Sequence, residues 1–350
     1  MAIKTALPML MMVLGGLAAR AEDVTLGTYN VEYFDKHFLA QHLANQPIAR
    51  DATGKEALDE LRKKNDEDNW ETAQVILDPA FSPDILVLQE GCDQADLTYF
   101  NHRWLNDAYA TVIQFPSNTD RHQNLDLLMK AGFKLLERRD QYHLEPDPVG
   151  NARGAKLFAR GPVFVKVQTP GGHVMWVGLT HMKSKNPGNI ANLPSDASPA
   201  PGKKGTESAA VRKKKVSDTQ WRNREAHRTH AIIKELEQAG PRDVILLGDM
   251  NDSLGLDAYE PEAGGDALAN LVGPAQDGLI LATRPLADGK QYSFHGYWRT
   301  GFRELIDHIV VTPSLKEALG EVRIVTNGLA GVASDHYPVR IRLKLNAPAE

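Results

Sequence analysis

Residues 244–252, VILLGDMND, read as a strand that ends in chemistry. Four apolar residues, Val244 to Leu247, run into Gly248 and then Asp249, Met250, Asn251 and Asp252. An extended backbone sends side chains two residues apart to one face, so Asp249 and Asn251 are expected together, with Met250 pointing the other way. Asp252 falls on the opposite side, where a turn or capping role suits it. The competing reading, a plain Gly-Asp turn, accounts for Gly248 but not for two polar groups delivered in register by an apolar run.

The same design recurs along the chain. TLGTYN (25–30) ends in Asn30, ILVLQE (85–90) in Glu90 and VGLTH (177–181) in His181. ELIDHIVV (304–311) carries Asp307 at the edge of its apolar run, and ASDHYPV (333–339) carries Asp335 and His336. Carboxylates, carboxamides and imidazoles gathered at strand edges are what a divalent metal and a phosphate ester require, so the six motifs point to one composite site. Asp307 is the natural partner of His336, because a carboxylate on one ring nitrogen fixes the tautomer and stabilises the positive ring. His308 would point away from Asp307 on a strand and is left outside the site.

Between these motifs, strands and helices alternate. Strands are expected at Val24–Tyr29, Ile85–Leu88, Leu125–Met129, Ala155–Phe158, Val163–Gln168 and Val174–Leu179, with later signals around Val244, Ile306, Val322 and Tyr337. Helices are expected over Asn69–Leu77, with Trp70, Ala73, Ile76 and Leu77 on the apolar face, and over about Thr219–Glu237. Pattern alone gives an α/β or α+β class. Residues 186–217, rich in Pro, Gly, Ser and Lys, read as a flexible insertion on the rim of the site.

The order and spelling of the motifs, GDMND and SDHYPV after LQE, resemble the endonuclease/exonuclease/phosphatase superfamily, the metal-dependent phosphoesterases related to DNase I. The resemblance spans Thr25 to about Val339. It implies a four-layer αββα sandwich of two mixed β-sheets flanked by helices, and Mg²⁺ or Mn²⁺ as cofactor. It further implies Glu90 as the principal metal ligand, Asn30 beside it positioning metal and phosphate, and Asp335 as a second metal contact. Asp249 would orient or deprotonate the attacking water, Asn251 would donate to a phosphate oxygen, and His181 would touch the phosphate. Arg153 in NARGAKLFA stands where relatives place a phosphate-binding group. Whether Asp249 or His336 activates water stays open.

Composition agrees with a globular enzyme: 350 residues, 42% hydrophobic, 24% charged and a formal charge of -5, with a mean hydropathy of -0.37. Residues 1–21 combine Lys4, an apolar stretch from Ala6 to Ala18, and Ala19-Arg20-Ala21, the pattern of a secretory signal peptide; an uncleaved anchor is the alternative. The stretch falls short of the about 20 residues a membrane span needs. The chain is therefore expected to be exported, extracellular or periplasmic, with residues 22–350 forming one catalytic domain. Cys92 is the single cysteine, so no intramolecular disulfide forms, and a buried structural thiol is expected. No HExxH, Walker-type loop or Gly-x-Ser-x-Gly elbow is present, which disfavours zinc peptidases, P-loop enzymes and serine hydrolases.

Two features bear on substrate. From Lys203 to Arg228, nine Lys/Arg oppose three acids, a patch suited to a nucleic-acid backbone, an anionic lipid headgroup or simple solvation. Tyr292, Phe294, Tyr297, Trp298 and Phe302 interleave with His295, Arg299 and Arg303, suited either to stacking on bases or to a packed hairpin. The reading is a phosphodiesterase, foremost a nuclease. A phosphatase or phospholipase C-like enzyme acting on lipid or inositol phosphates is the alternative, and a catalytically inactive binding module a lesser one.

Overall fold

The apolar runs form two six-stranded sheets in the computed structural model, which describes residues 21–43, 52–119, 123–150, 156–184, 209–275, 278–296 and 303–345. In chain order the strands are β1 (Glu22–Asn30), β2 (Ile85–Gly91), β3 (Thr111–Phe115), β4 (Asn124–Met129), β5 (Lys134–Arg139), β6 (Val163–Gln168), β7 (Val174–His181), β8 (Val244–Asp249), β9 (Ile280–Leu281), β10 (Asp307–Val311), β11 (Leu319–Ile324) and β12 (Val339–Leu345). The helices are α1 (Leu39–Leu43), α2 (Ala52–Leu77), α3 (Gln94–Arg103), α4 (Ala209–Ala239), α5 (Glu260–Ala263), α6 (Ala267–Val272), α7 (Arg284–Asp288) and α8 (Ala330–Ala333). One sheet runs β11-β12-β1-β2-β4-β3, the other β5-β6-β7-β8-β10-β9.

Each sheet holds one parallel pair among antiparallel neighbours, β1 with β2 and β7 with β8. A parallel pair needs a long crossover, and these two contain the long helices α2 and α4, of 26 and 31 residues. The molecule is thus organised around two βαβ units, one per sheet.

Alternation along the strands sorts the side chains into layers. Leu26, Val87, Val177, Leu179, Ile245, Leu247, Ile309 and Ile341 meet between the sheets. Tyr29, Leu86, Leu88 and Leu128 face outward onto Ala73 and Ile76 of α2 and Leu97 and Phe100 of α3. Phe164, Trp176 and Leu246 do the same for Ala226, Ile232 and Ile233 of α4 and Leu268 of α6. Burying each large apolar side chain contributes about 1.5–3 kcal/mol, and the outcome is the four-layer αββα sandwich.

Several boundaries differ from the sequence reading. Trp70 is exposed, because the buried stripe of α2 runs through Asn65, Asn69, Thr72, Ala73 and Ile76. Asn65 accepts from the Ala40 N–H and donates to the Lys36 carbonyl, and Asn69 donates to the His37 carbonyl, so polar residues hold the helix face that hydrophobicity would assign elsewhere. No strand forms at 156–158, where Lys156 makes only an isolated bridge to Pro146. Helix α4 begins at Ala209, so residues 209–217 of the expected insertion are helical; residues 186–208 lie outside the described residues, as do the expected signal peptide up to residue 20, Arg153 and residues 297–302. Cys92 is buried, and burial pushes its thiol up, as an inert structural cysteine requires.

Candidate active site

The two sheets present polar residues at one common edge. Strand register puts His181 opposite Asp249 and Asp249 opposite Asp307, a row across β7, β8 and β10. These neighbours share a face because their Cα atoms are paired, and it is the face that carries Leu179, Leu247 and Ile309 into the core. Thr180 and Gly248 also pair, so closely that a Cβ on Gly248 would lie 1.9 Å from the Thr180 carbonyl oxygen. Only glycine fits between the two strand ends.

The first sheet answers with Asn30 at the end of β1 and Glu90 near the end of β2. Strict alternation would send Glu90 to the outer face, like Leu88. Instead, the pairing of β2 with β4 shifts register between Gln89 and Gly91, and Glu90 adopts φ 58°. This bulge re-aims the side chain: Glu90 Oε2 accepts from the Tyr33 N–H at 3.0 Å, and its charge acts on Arg160, His181 and Asp335. Glu32, Tyr33 and Asn251 are also left-handed non-glycine residues, so backbone strain is concentrated around the site.

Asp249 is the hub. Its Oδ2 accepts from Asn30 Nδ2 at 3.1 Å, across the gap between sheets, and lies 3.3 Å from His181 Nε2. Its Oδ1 accepts from the Asn251 N–H at 2.7 Å. Burial pushes this carboxyl upward, but the His181 hydrogen bond, the His181 and His336 rings and the Asn251 N–H outweigh it and hold the group well below the usual carboxylate range. Burial and the Arg160 charge lower His181, so near neutral pH the ring is uncharged and donates Nε2–H to Asp249.

His336 hangs on a short turn ahead of β12. Ser334 Oγ donates to the Asn30 carbonyl at 2.7 Å and accepts from the His336 N–H at 3.0 Å. The ring's Nδ1 meets Asp307 Oδ2 at 2.7 Å, and its Nε2 stands 3.9 Å from Asp249 Oδ2 and 3.8 Å from Asp335 Oδ1. Burial opposes charging the ring, yet Asp307, Asp249 and Asp335 together raise it to about 10. Asp335 itself is pushed up to about 7 by burial, although His336 pulls it down, with Glu32, Glu90 and Asp249 adding repulsion.

A sequence profile of the Endonuclease/Exonuclease/phosphatase family matches residues 27–336, from inside β1 to His336. The chain belongs to this family. Its members are metal-dependent phosphoester hydrolases, and so is this protein. Solved structures share the fold at low sequence identity. An endonuclease/exonuclease/phosphatase family protein from Bacteroides thetaiotaomicron superposes with a TM-score of 0.56 at 14% identity, covering 95% of this chain and 100% of that one. Truncated TDP2 from Caenorhabditis elegans gives 0.52 at 14%, covering 92% and 98%. A mannosyl-6-phosphatase from Bacteroides thetaiotaomicron gives 0.52 at 15%, covering 92% and 100%. No curated protein matches by sequence.

The fold therefore brings Asn30, Glu90, His181, Asp249, Asn251, Asp307, Asp335 and His336 of this family member to one edge. Asn251 arrives by a different path from the one its spacing implies: β8 ends at Asp249, and Asn251 takes a left-handed turn with φ 52° from which Nδ2 donates to the Met182 carbonyl. Asp252 caps α6 through the Ala267 and Leu268 N–H groups, and His308 bonds Thr283 and the Asp252 carbonyl, both away from the reacting edge as expected.

Arg160 was not legible as a site residue. It is 7% exposed, with Nη1 donating to Gln123 Oε1 at 3.1 Å and Nη2 to the Met182 carbonyl at 2.8 Å. The available signal was position: Val163 of β6 pairs with Leu179 of β7, so a residue just before β6 lies beside His181. Glu225 of α4 supports the same corner, accepting from the Ala159 N–H at 3.1 Å and the Lys183 N–H at 2.7 Å.

The donor set suits a hard divalent cation. His181 Nδ1 and Asp307 Oδ1 are buried polar atoms with no hydrogen-bond partner among the described residues, and Glu32, Glu90, Asp249 and Asp335 crowd negative charge together. Glu90 and Asp335 are oxygen ligands of the type Mg²⁺ and Mn²⁺ prefer. Asn30 Oδ1 already accepts the Glu32 N–H at 3.1 Å, which leaves one lone pair for a metal. Asp249, Asp307 and His336 also each offer a donor atom within 4.8 Å of the others.

Proposed function

We propose that the protein is an exported nuclease that hydrolyses phosphodiester bonds with Mg²⁺ or Mn²⁺, held by Glu90 and Asp335 with Asn30 beside them. The cation, when bound, supplies positive charge against a non-bridging phosphate oxygen and the departing oxygen. The observation that carries the reading is the geometry around Asp249, whose Oδ2 accepts from Asn30 at 3.1 Å and lies 3.3 Å from His181 Nε2 and 3.9 Å from the Nε2 of His336, itself held by Asp307 at 2.7 Å. Asp249 is ionised and His336 is an imidazolium at neutral pH.

An imidazolium has no lone pair to take a proton from water, so Asp249 is the group that orients and deprotonates the nucleophile. Water attacks phosphorus, the bond to the leaving oxygen breaks, and the water proton passes to Asp249. His336 Nε2–H, with Asp307 behind it, faces charge developing on the phosphoryl group. Arg160, His181 and Asn251 lie around the same pocket and add positive charge or hydrogen bonds. Two aromatics beside the site favour a nucleic acid: the Phe294 ring lies 4.9 Å from that of His336, and Arg303 stacks on Tyr292 at 4.8 Å. Export rests on the signal-like residues 1–21.

The test is to incubate the protein from Glu22 onward with plasmid DNA, RNA, bis-p-nitrophenyl phosphate and p-nitrophenyl phosphate, each with Mg²⁺, Mn²⁺ or EDTA. Metal-dependent cleavage of nucleic acid that disappears in His336→Ala is expected. Turnover of the monoester alone would replace the nuclease with a phosphatase, the activity named for one fold neighbour.

A further inference from the structure

Of the seven cations that composition singled out on α4, five are ion-paired, Lys215 donates to the Tyr259 hydroxyl, and Lys213 is exposed. Arg212 pairs with Glu262, Lys214 with Asp218, Arg222 with Asp252 and Glu260, Arg224 with Asp147, and Arg228 with Glu145 and Glu235. Apart from Lys214–Asp218 and Arg228–Glu235, which lie within α4, those pairs tie the helix to neighbouring segments and leave little for a ligand.

A different set of cations has no ion pair among the described residues, although one of them, Arg303, stacks on Tyr292. A groove of about 790 Å³ runs beside the active site, and Arg284, Lys290 and Arg303 line it. All three are exposed, and none has a carboxylate within 4 Å among the described residues. The groove joins the site through the chain on two sides, since Leu305 precedes Asp307 by two residues and Tyr292 precedes Ser293, whose Oγ accepts from the Asp307 N–H at 3.0 Å. It joins a third time through side chains: the Tyr292 ring, under Arg303, stands 5.9 Å from that of Tyr337, the residue after His336.

Asp288 and Glu304 line the groove as well, so its excess is a single positive charge. That balance argues against a diffuse attraction for any polyanion and for a few defined positions, each suited to one phosphate. A strand whose scissile phosphate sits at His336 has further phosphates on either side, and the groove is where the next ones along can go.

We propose that Arg284, Lys290 and Arg303 form a subsite for the phosphates flanking the cleaved bond of a single-stranded nucleic acid. The subsite rests on the nuclease reading and gives it a direction, away from α4 and along the wall between α7 and the Tyr292 segment.

The experiment measures binding of a labelled single-stranded oligonucleotide in EDTA, across a salt titration, to the wild type, to Arg284→Ala/Lys290→Ala/Arg303→Ala, and to Arg228→Ala as a paired-cation control. Steady-state cleavage of the oligonucleotide and of bis-p-nitrophenyl phosphate in Mg²⁺ is measured alongside. The triple variant is expected to lose about tenfold or more in affinity at low salt, with a salt slope shallower by about 2, since each single-strand phosphate contact contributes about 0.7. Its preference for oligonucleotide over the small diester, taken as a ratio of kcat/KM values, should fall by a similar factor, while Arg228→Ala changes little. Unchanged affinity and slope in the triple variant, or an equal loss in the control, would overturn the subsite and leave the nuclease standing. A wild type that hydrolyses the small diester yet neither binds nor cuts the oligonucleotide would overturn the nuclease reading, and the subsite with it.

Discussion

The unit β1–α2–β2 and the unit β7–α4–β8 have the same topology and end at the same edge, yet they bring different chemistry there. The first supplies oxygen donors, Asn30 and Glu90. The second supplies His181 and Asp249, with Arg160 and Glu225 behind them. Their helices differ in the same way: α2 buries two asparagines that satisfy backbone groups, whereas α4 buries Arg222 and Glu225. In the proposed mechanism, one architecture thus serves to hold a cation on one side and to manage protons and phosphate charge on the other.

The sharpest way to break this division is to remove one strand-end residue from each unit. Asp249→Ala should lower kcat by about 10³- to 10⁴-fold at any metal concentration, because the group that takes the proton is gone. Glu90→Ala should instead raise the metal concentration needed for half-maximal turnover and recover much of its rate when metal is added. Metal titrations of kcat for the two variants check this, and superimposable curves would remove the distinction.

The next effect concerns the helices. Arg222 and its partners Asp252 and Glu260 have no side-chain exposure, so Arg222→Ala leaves buried carboxylates uncompensated and should cost about 3–5 kcal/mol in denaturant unfolding. Trp70→Ala on α2, 46% exposed, should stay within about 0.5 kcal/mol. A small loss at Arg222 would mean that α4 does not depend on its charges.

A smaller effect depends on pH. Burial lifts the Glu225 carboxyl to about 7 despite the N–H groups of Lys183 and Ala159 and the charges of Arg160 and Lys183. A folded pKa above the unfolded one means that the neutral form is favoured by folding, so this stability is full below the ordinary glutamate value of 4.5 and is lost as pH rises through about 7. The span is on the order of 3 kcal/mol, and Glu225→Gln should flatten the unfolding free energy across that window. A profile as steep as the wild type would place the titration elsewhere.

Much of this was readable before the fold, for a physical reason. A buried strand must announce itself as an apolar run, and the polar residue that ends it is conspicuous by contrast, which is why Asn30, Glu90, His181, Asp249, Asp307 and His336 stood out. Edge strands lack that run. In β5, KLLERR, exposed and half-buried residues alternate, and β3 buries only Phe115, so neither was expected. Arg160 and Glu225 were hidden because their roles come from which segments lie side by side, a fact of pairing and not of composition. The path of Asn251 was misjudged for the same kind of reason, because nothing in GDMND marks where the ladder stops.

The register shift at Glu90 has a consequence for anyone altering this protein. Its information is carried by the number of residues between Ile85 and Gly91 as much as by their kind. Substitution scanning samples kind alone, so it can register the loss of the carboxylate but not the loss of the kink. Deleting Gln89 would keep the acidic residue and shorten the strand by one. The glutamate would then take the place of Gln89 in a regular ladder, on the face of Ile85 and Val87 and without the kink that aims it now, a variant with the right alphabet and the wrong count.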